Sequence, residues 1–146
     1  MMIEIYKQDV MEKIYALSAL QGYVSLPERE RALLQEDQSE GLSVMVGDAF
    51  AEVVLGLMPR VSDYGEPEAG EEMMWMELKG EYGDVWIVLP AIERMVVDVM
   101  ANMVLGAIYE SIGEGAGYER RWERGMGVIR ETIDGIGMAL RLQGWR

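Results

Sequence analysis

Glu66, Glu68, Glu71 and Glu72 are the densest set of potential metal ligands in the chain. A hard cation such as calcium needs oxygen ligands at an ordered spacing around a turn glycine, and the run GEPEAGEE lacks that order. A solvated acidic loop is the better reading. The glycine run GEGAG, Gly113 to Gly117, invites comparison with a phosphate-binding loop. No Gly-Lys-Ser/Thr follows it, and it joins two helical patterns where a phosphate loop follows a strand. Histidine and cysteine are both absent. Their absence removes the side chain best suited to proton transfer near neutral pH, together with thiolate nucleophiles, thiolate metal sites and disulfides. The remaining carboxylates, lysines, serines and tyrosines form no recognisable nucleophile and base pair. The sequence therefore predicts no enzyme: no catalytic site, no bound cofactor and no metal.

What the residue types do favour is protein contact. The chain has 13 methionines and 4 tryptophans. Methionine adapts to irregular partners, and tryptophan is favoured at the centres of interfaces. Both also fill ordinary cores, so Trp75 and Trp86 read equally as interface or core residues. Trp145 stands next to the last residue of the sequence, where burial in its own domain is harder to arrange. The candidate interface residues are Trp75, Trp86, Trp122, Arg141, Trp145 and Arg146.

The formal net charge is -13, which disfavours general attraction to nucleic acid or anionic lipid. The charge is uneven. From Tyr118 onward six arginines meet four acidic residues, a net +2, so the first 117 residues carry -15. Such polarity suits subunits that meet in a fixed orientation.

Four helices and a strand pair must position these residues. Tyr6, Val10, Ile14 and Leu17 recur at helical spacing and predict a first helix from about Tyr6 to Gln21. A polar stretch from Ser25 to Ser39 follows, with room for a short helical turn. Asp37, three residues before Glu40, predicts the start of a second helix in the manner of a capping box. Leu42, Val46, Ala49, Phe50, Val53 and Leu57 line one face of it, and Pro59 stops it. Val61 to Glu72 holds glycines, a proline and acidic side chains and reads as a loop. Met74, Met76 and Leu78 alternate with polar or interfacial residues as in a half-buried strand, and Val85 to Leu89 is a second candidate across GEYGD. An isolated hairpin is marginal in water, so it must pack on the helices or on a neighbouring subunit. Pro90 suits a helix start, and the third helix, Ala91 to Ile112, is apolar around most of its circumference. A fourth, Tyr118 to Leu142, carries Tyr118, Trp122, Met126, Ile129, Ile133, Ile136 and Leu140 as a narrow seam. Gly125, Gly127, Gly135 and Gly137 weaken it by about 1 kcal/mol each relative to alanine, and close backbone approach is one return for that loss.

The fold class expected is thus mainly α with a small β-hairpin: a four-helix bundle-like domain over residues 1–142, its strand pair at about 73–89 inserted between helices 2 and 3. Residues 143–146 form a C-terminal tail. The opening MMIEIYKQDVMEKIY has acidic residues where a secretory leader has a basic start. The most apolar stretch, Met95 to Ile108, is shorter than the roughly 20 residues that span a bilayer, so a core helix and no membrane contact are expected.

The segments IEIYKQDVMEKIYALSAL, VWIVLPAIERMVVDVMANMVLGAIYESIG and YERRWERGMGVIRETI, in this order, cover most of the chain. In their order of elements they resemble the small neck subunits of tailed bacteriophages, the head-to-tail connectors, adaptors or head-completion proteins. The resemblance implies a structural ring subunit of the virion neck, in about twelve copies, between portal and tail proteins and around a DNA channel. DNA would be a non-specific passenger, since an acidic channel wall lets it slide without counterion release. A small bacterial protein-binding adaptor or regulatory module, cytoplasmic and monomeric or dimeric, is the alternative.

Overall fold

The computed structural model describes residues 1–21, 27–34, 39–65, 72–83 and 86–142. Its centre is a helix spanning Leu89–Tyr109, continued by a 3-10 turn at Glu110–Ile112. In chain order the elements are β1 (Met2–Tyr6), α1 (Lys7–Gln21), α2 (Glu28–Leu33), α3 (Ser39–Leu57), β2 (Val61–Gly65), β3 (Met73–Leu78), α4 (Leu89–Tyr109) and α5 (Ala116–Leu142). The protein is mainly helical with a small antiparallel sheet.

Helix α4 starts where Pro90, in the first turn, has no intrahelical hydrogen bond to lose. The 3-10 turn that continues it stops at Gly113, whose φ of 73° places it in the left-handed region that halts a helix. Ile92, Val96, Val99, Met100, Val104 and Ile108 are all buried. Asn102, buried in mid-helix, turns its amide back to the Asp98 carbonyl at 2.8 Å. α4 touches α1, α3, α5 and β1, so its apolar faces meet different neighbours. From Leu89 to Ile112 the segment is long and apolar enough to cross a membrane by length and composition, and half of that apolar window is buried inside the protein. Ala107, within this apolar helix, is exposed.

Helix α5 returns antiparallel to α4. Tyr118 packs beside Gly106 and stacks its ring on Tyr109 at 5.4 Å between centroids. Further along, a β-carbon on Gly125 would come within 2.5 Å of Val99 Cγ2, and one on Gly137 would lie 3.3 Å from the Tyr82 ring. Close approach thus accounts for Gly125 and Gly137, whereas Gly127 and Gly135 face open space. The expected seam is present: Tyr118, Met126, Ile129 and Ile133 are buried, and Trp122 and Ile136 partly so.

On the other side of α4, α3 buries the whole predicted stripe from Leu42 to Leu57. α1 buries Val10 and Ile14. Tyr6, expected to begin that stripe, instead ends β1 and is exposed. The ammonium of Lys7, itself buried, donates to the Ser43 hydroxyl at 3.2 Å and ties α1 to α3. The short turn foreseen in the polar stretch is α2. The predicted cap residue Asp37 lies outside the described residues.

The sheet corrects the expected hairpin. Its order is β1-β3-β2, with β3 antiparallel to both neighbours. Ile3 opposes Met76 and Ile5 opposes Met74, so the buried face is built by Ile3, Ile5, Met74, Met76 and Leu78. The predicted second strand is absent: Trp86 to Val88 form a turn and Leu89 opens α4, while Val85 lies outside the described residues. GEYGD, expected as the hairpin loop, supplies a 3-10 turn at Gly80–Tyr82 that packs on α5. The strands that lie between the second and third long helices are β2 and β3. β2 occupies the segment read as a loop, because backbone pairing replaces the missing apolar alternation. A cis peptide joins Met58 to Pro59 between α3 and β2.

Two glycines of α5 should respond oppositely to alanine. At Gly125 the new methyl meets a β-branched, stiff side chain and overpacks it, at a cost of about 1–3 kcal/mol that exceeds the gain in helix propensity. At Gly135 only the gain of up to about 1 kcal/mol applies. Thermal melts followed by circular dichroism should show Gly125→Ala lowered by several degrees and Gly135→Ala raised by about 2–4 °C. An increase for both would contradict the close packing of α5 on α4.

Candidate protein-binding surfaces

The six predicted interface residues are not brought together. Trp75, Trp86 and Trp122 sit in three separate places; the side chain of Arg141, and Trp145 and Arg146, lie outside the described residues.

Trp122 lines a cleft of about 430 Å³ between α3 and α5. Leu55 and Gly56 form one wall, Trp122 and Met126 the other, and Met103 of α4 completes the apolar lining. Glu52, Glu123 and Arg130 supply its polar groups. The volume lies in the range that holds a small ligand or a single large side chain. Leu55 is 69% exposed, although α3 turns its apolar stripe inward, so this leucine has no partner of its own kind. One end of the cleft is fastened. Arg130 donates to the Gly56 carbonyl at 3.3 Å, near the C-terminal end of α3 where a cation complements the helix dipole. Arg60 donates twice to the Asp134 carboxylate, both at 2.8 Å. This bidentate bond holds the Arg60 guanidinium above its ordinary pKa.

Trp86 is 77% exposed and its neighbour Ile87 is 69% exposed. They protrude from the turn before α4, and the nearby Tyr82 packs against Gly137 of α5. Two consecutive large apolar side chains in water are an informative exception to burial.

Trp75 is half-buried on the outer face of the sheet. Its indole lies over Gly65, the residue opposite it on β2, where any β-carbon would collide with the ring. Met2 and Tyr6 of β1 share that face and are exposed. The sheet edge itself is guarded. Glu93 of α4 accepts the outward Glu4 amide at 2.9 Å, and β2 is irregular between Val61 and Asp63.

Near the start of α5 the Arg121 guanidinium stands 5.5 Å from the centroid of the Tyr118 ring. Burial pushes the Tyr118 hydroxyl pKa up, and Arg121 partly opposes this. Among the described residues no three aspartate or glutamate side chains gather where they could hold a metal ion. Of the acidic run weighed above, Glu72 is exposed and Glu66, Glu68 and Glu71 lie outside the described residues.

Leu55, Met126 and Arg130 are site residues that the sequence reading missed. Leu55 did carry a signal, as a leucine out of phase with the α3 stripe. Arg130 and Met126 carried none, because their place depends on how α5 crosses α3. No protein-family model, curated protein or solved structure matches the chain.

Gly65→Val tests the arrangement of Trp75. In a chain keeping Trp75 as its sole tryptophan, with phenylalanine at 86, 122 and 145, the substitution should drive the indole off β2 and red-shift its emission. An unchanged spectrum would show that the indole does not rest on Gly65.

Proposed function

We propose that this protein is a non-catalytic structural subunit that assembles with copies of itself, and that its setting is the neck of a tailed phage virion. The observation that carries the first half is the presence on one chain of a protruding Trp86 and Ile87 and of a partly apolar cleft beside Leu55 and Trp122. A protein that binds proteins needs a desolvated aromatic anchor and a pocket to receive one. Helices α1, α3, α4 and α5 are read as a bundle-like body with the sheet at its side. The phage setting rests on the sequence resemblance alone.

In that setting the protein forms a ring between portal and tail. Its net charge of -13 gives DNA in the channel little to bind, so DNA passes and is not held. The body supplies stiffness, and contacts between copies supply the ring. Catalysis has no part in this reading. In this reading its place is the virion neck; as a bacterial adaptor its place would be the cytoplasm.

Native mass spectrometry of the purified chain should give one closed oligomer of more than two copies, with no retention on DNA at physiological salt. A stable monomer or dimer that retains other bacterial proteins would favour a small adaptor module and remove the ring.

A further inference from the structure

The cleft between α3 and α5 holds more negative charge than it neutralises. Glu52 reaches it from α3 and Glu123 from α5, both with exposed side chains. Arg130 lies in the same cleft, but it is turned to the Gly56 carbonyl. Among the described residues the ion pairs are Lys13–Asp98 and Arg60–Asp134, so both cleft carboxylates are left without a cation. Leu55 and Gly56 belong to the last turn of α3, where the helix dipole adds further negative potential. The field of the whole chain, at a net charge of -13, has the same sign.

Deeper in the cleft the lining is of another kind. Trp122 and Met103 are half-buried and Met126 is buried. A β-carbon on Gly56 would come within 2.6 Å of Met126 Cε and push that side chain into the cleft, so glycine there keeps the floor low. The face of an indole attracts a weakly hydrated cation, and thioethers adapt to an apolar body of irregular shape. Carboxylates at the rim supply the opposite charge. A bare calcium ion would need an ordered set of oxygen ligands, which two glutamates do not make. An anion would meet the glutamates first.

We propose that the α3–α5 cleft binds a small organic cation, an alkyl- or aryl-ammonium compound. Its charge lies between Glu52 and Glu123, and its apolar body lies against Trp122, Met103 and Met126. A cleft of about 430 Å³ admits a body of that size. This site goes beyond the structural role and does not depend on assembly.

The test is a calorimetric titration of the purified chain with benzyltrimethylammonium. One site should fill with half-saturation below about 1 mM, and binding should weaken as salt rises. Benzyl alcohol, which keeps the ring without the charge, should bind about tenfold more weakly, and the anion phenylacetate should not bind. Glu52→Gln and Glu123→Gln change exposed side chains only; together they should weaken the cation about tenfold in a chain that melts as before. Trp122→Phe, which keeps the packing of a ring, should weaken it less than Trp122→Leu. In a chain whose sole tryptophan is Trp122, with phenylalanine at 75, 86 and 145, the cation should change the indole emission with the same half-saturation. Equal binding of cation, alcohol and anion would overturn the proposal. So would full affinity in the double glutamine variant or an unchanged Trp122 emission, because the cation would then sit elsewhere on the acidic surface. A folded chain that gives neither heat nor emission change up to about 10 mM would overturn it as well.

Discussion

Helix α4 carries more apolar surface than any single neighbour covers, and the fold follows from enclosing it. Val99 and Gly125 set the depth at which α5 lies against it. α1 and α3 take other faces, and β1 lies along it with Glu93 sealing the strand edge. Half of its apolar window is buried, and a helix packed against several elements cannot adjust to one neighbour without disturbing the rest, because interiors are packed at crystal-like density. The rigidity of the body follows from that.

Among the described residues, enclosure is incomplete in at least two places. Between α3 and α5 the walls meet at Gly56, tied by Arg130, and leave a cleft beside Leu55 and Trp122. Before α4 the chain exposes Trp86 and Ile87 just ahead of the helix that is most deeply buried. Both irregularities are anchored on the same central helix, which contributes Met103 to the cleft and follows directly from the Trp86 turn.

The helices were legible because their apolar residues recur at helical spacing over many turns; α3 and α5 bury nearly the residues that spacing selects. The sheet was not. β1 offers only Ile3 and Ile5 as inward positions, directly before a helix whose stripe seemed to absorb Tyr6. β2 buries Val61 and exposes Ser62, Asp63 and Tyr64, so no period marks it. The apolar run from Val85 to Leu89 resembled a strand, yet its tryptophan and isoleucine point to solvent and its leucine begins α4. A short apolar run does not say which element buries it. Trp122 could be named from sequence, but the cleft around it could not, because it depends on the crossing of two helices distant in the chain.

The proposed role turns on whether the chain assembles with copies of itself through its exposed apolar side chains. Sedimentation-velocity analysis of the purified chain beside Trp86→Ala tests this most directly, because Trp86 is the side chain whose exposure most asks for a partner. The unaltered chain should sediment as one species larger than a dimer, and Trp86→Ala as a smaller one. An unaltered chain that sediments as a monomer at every concentration would contradict self-assembly.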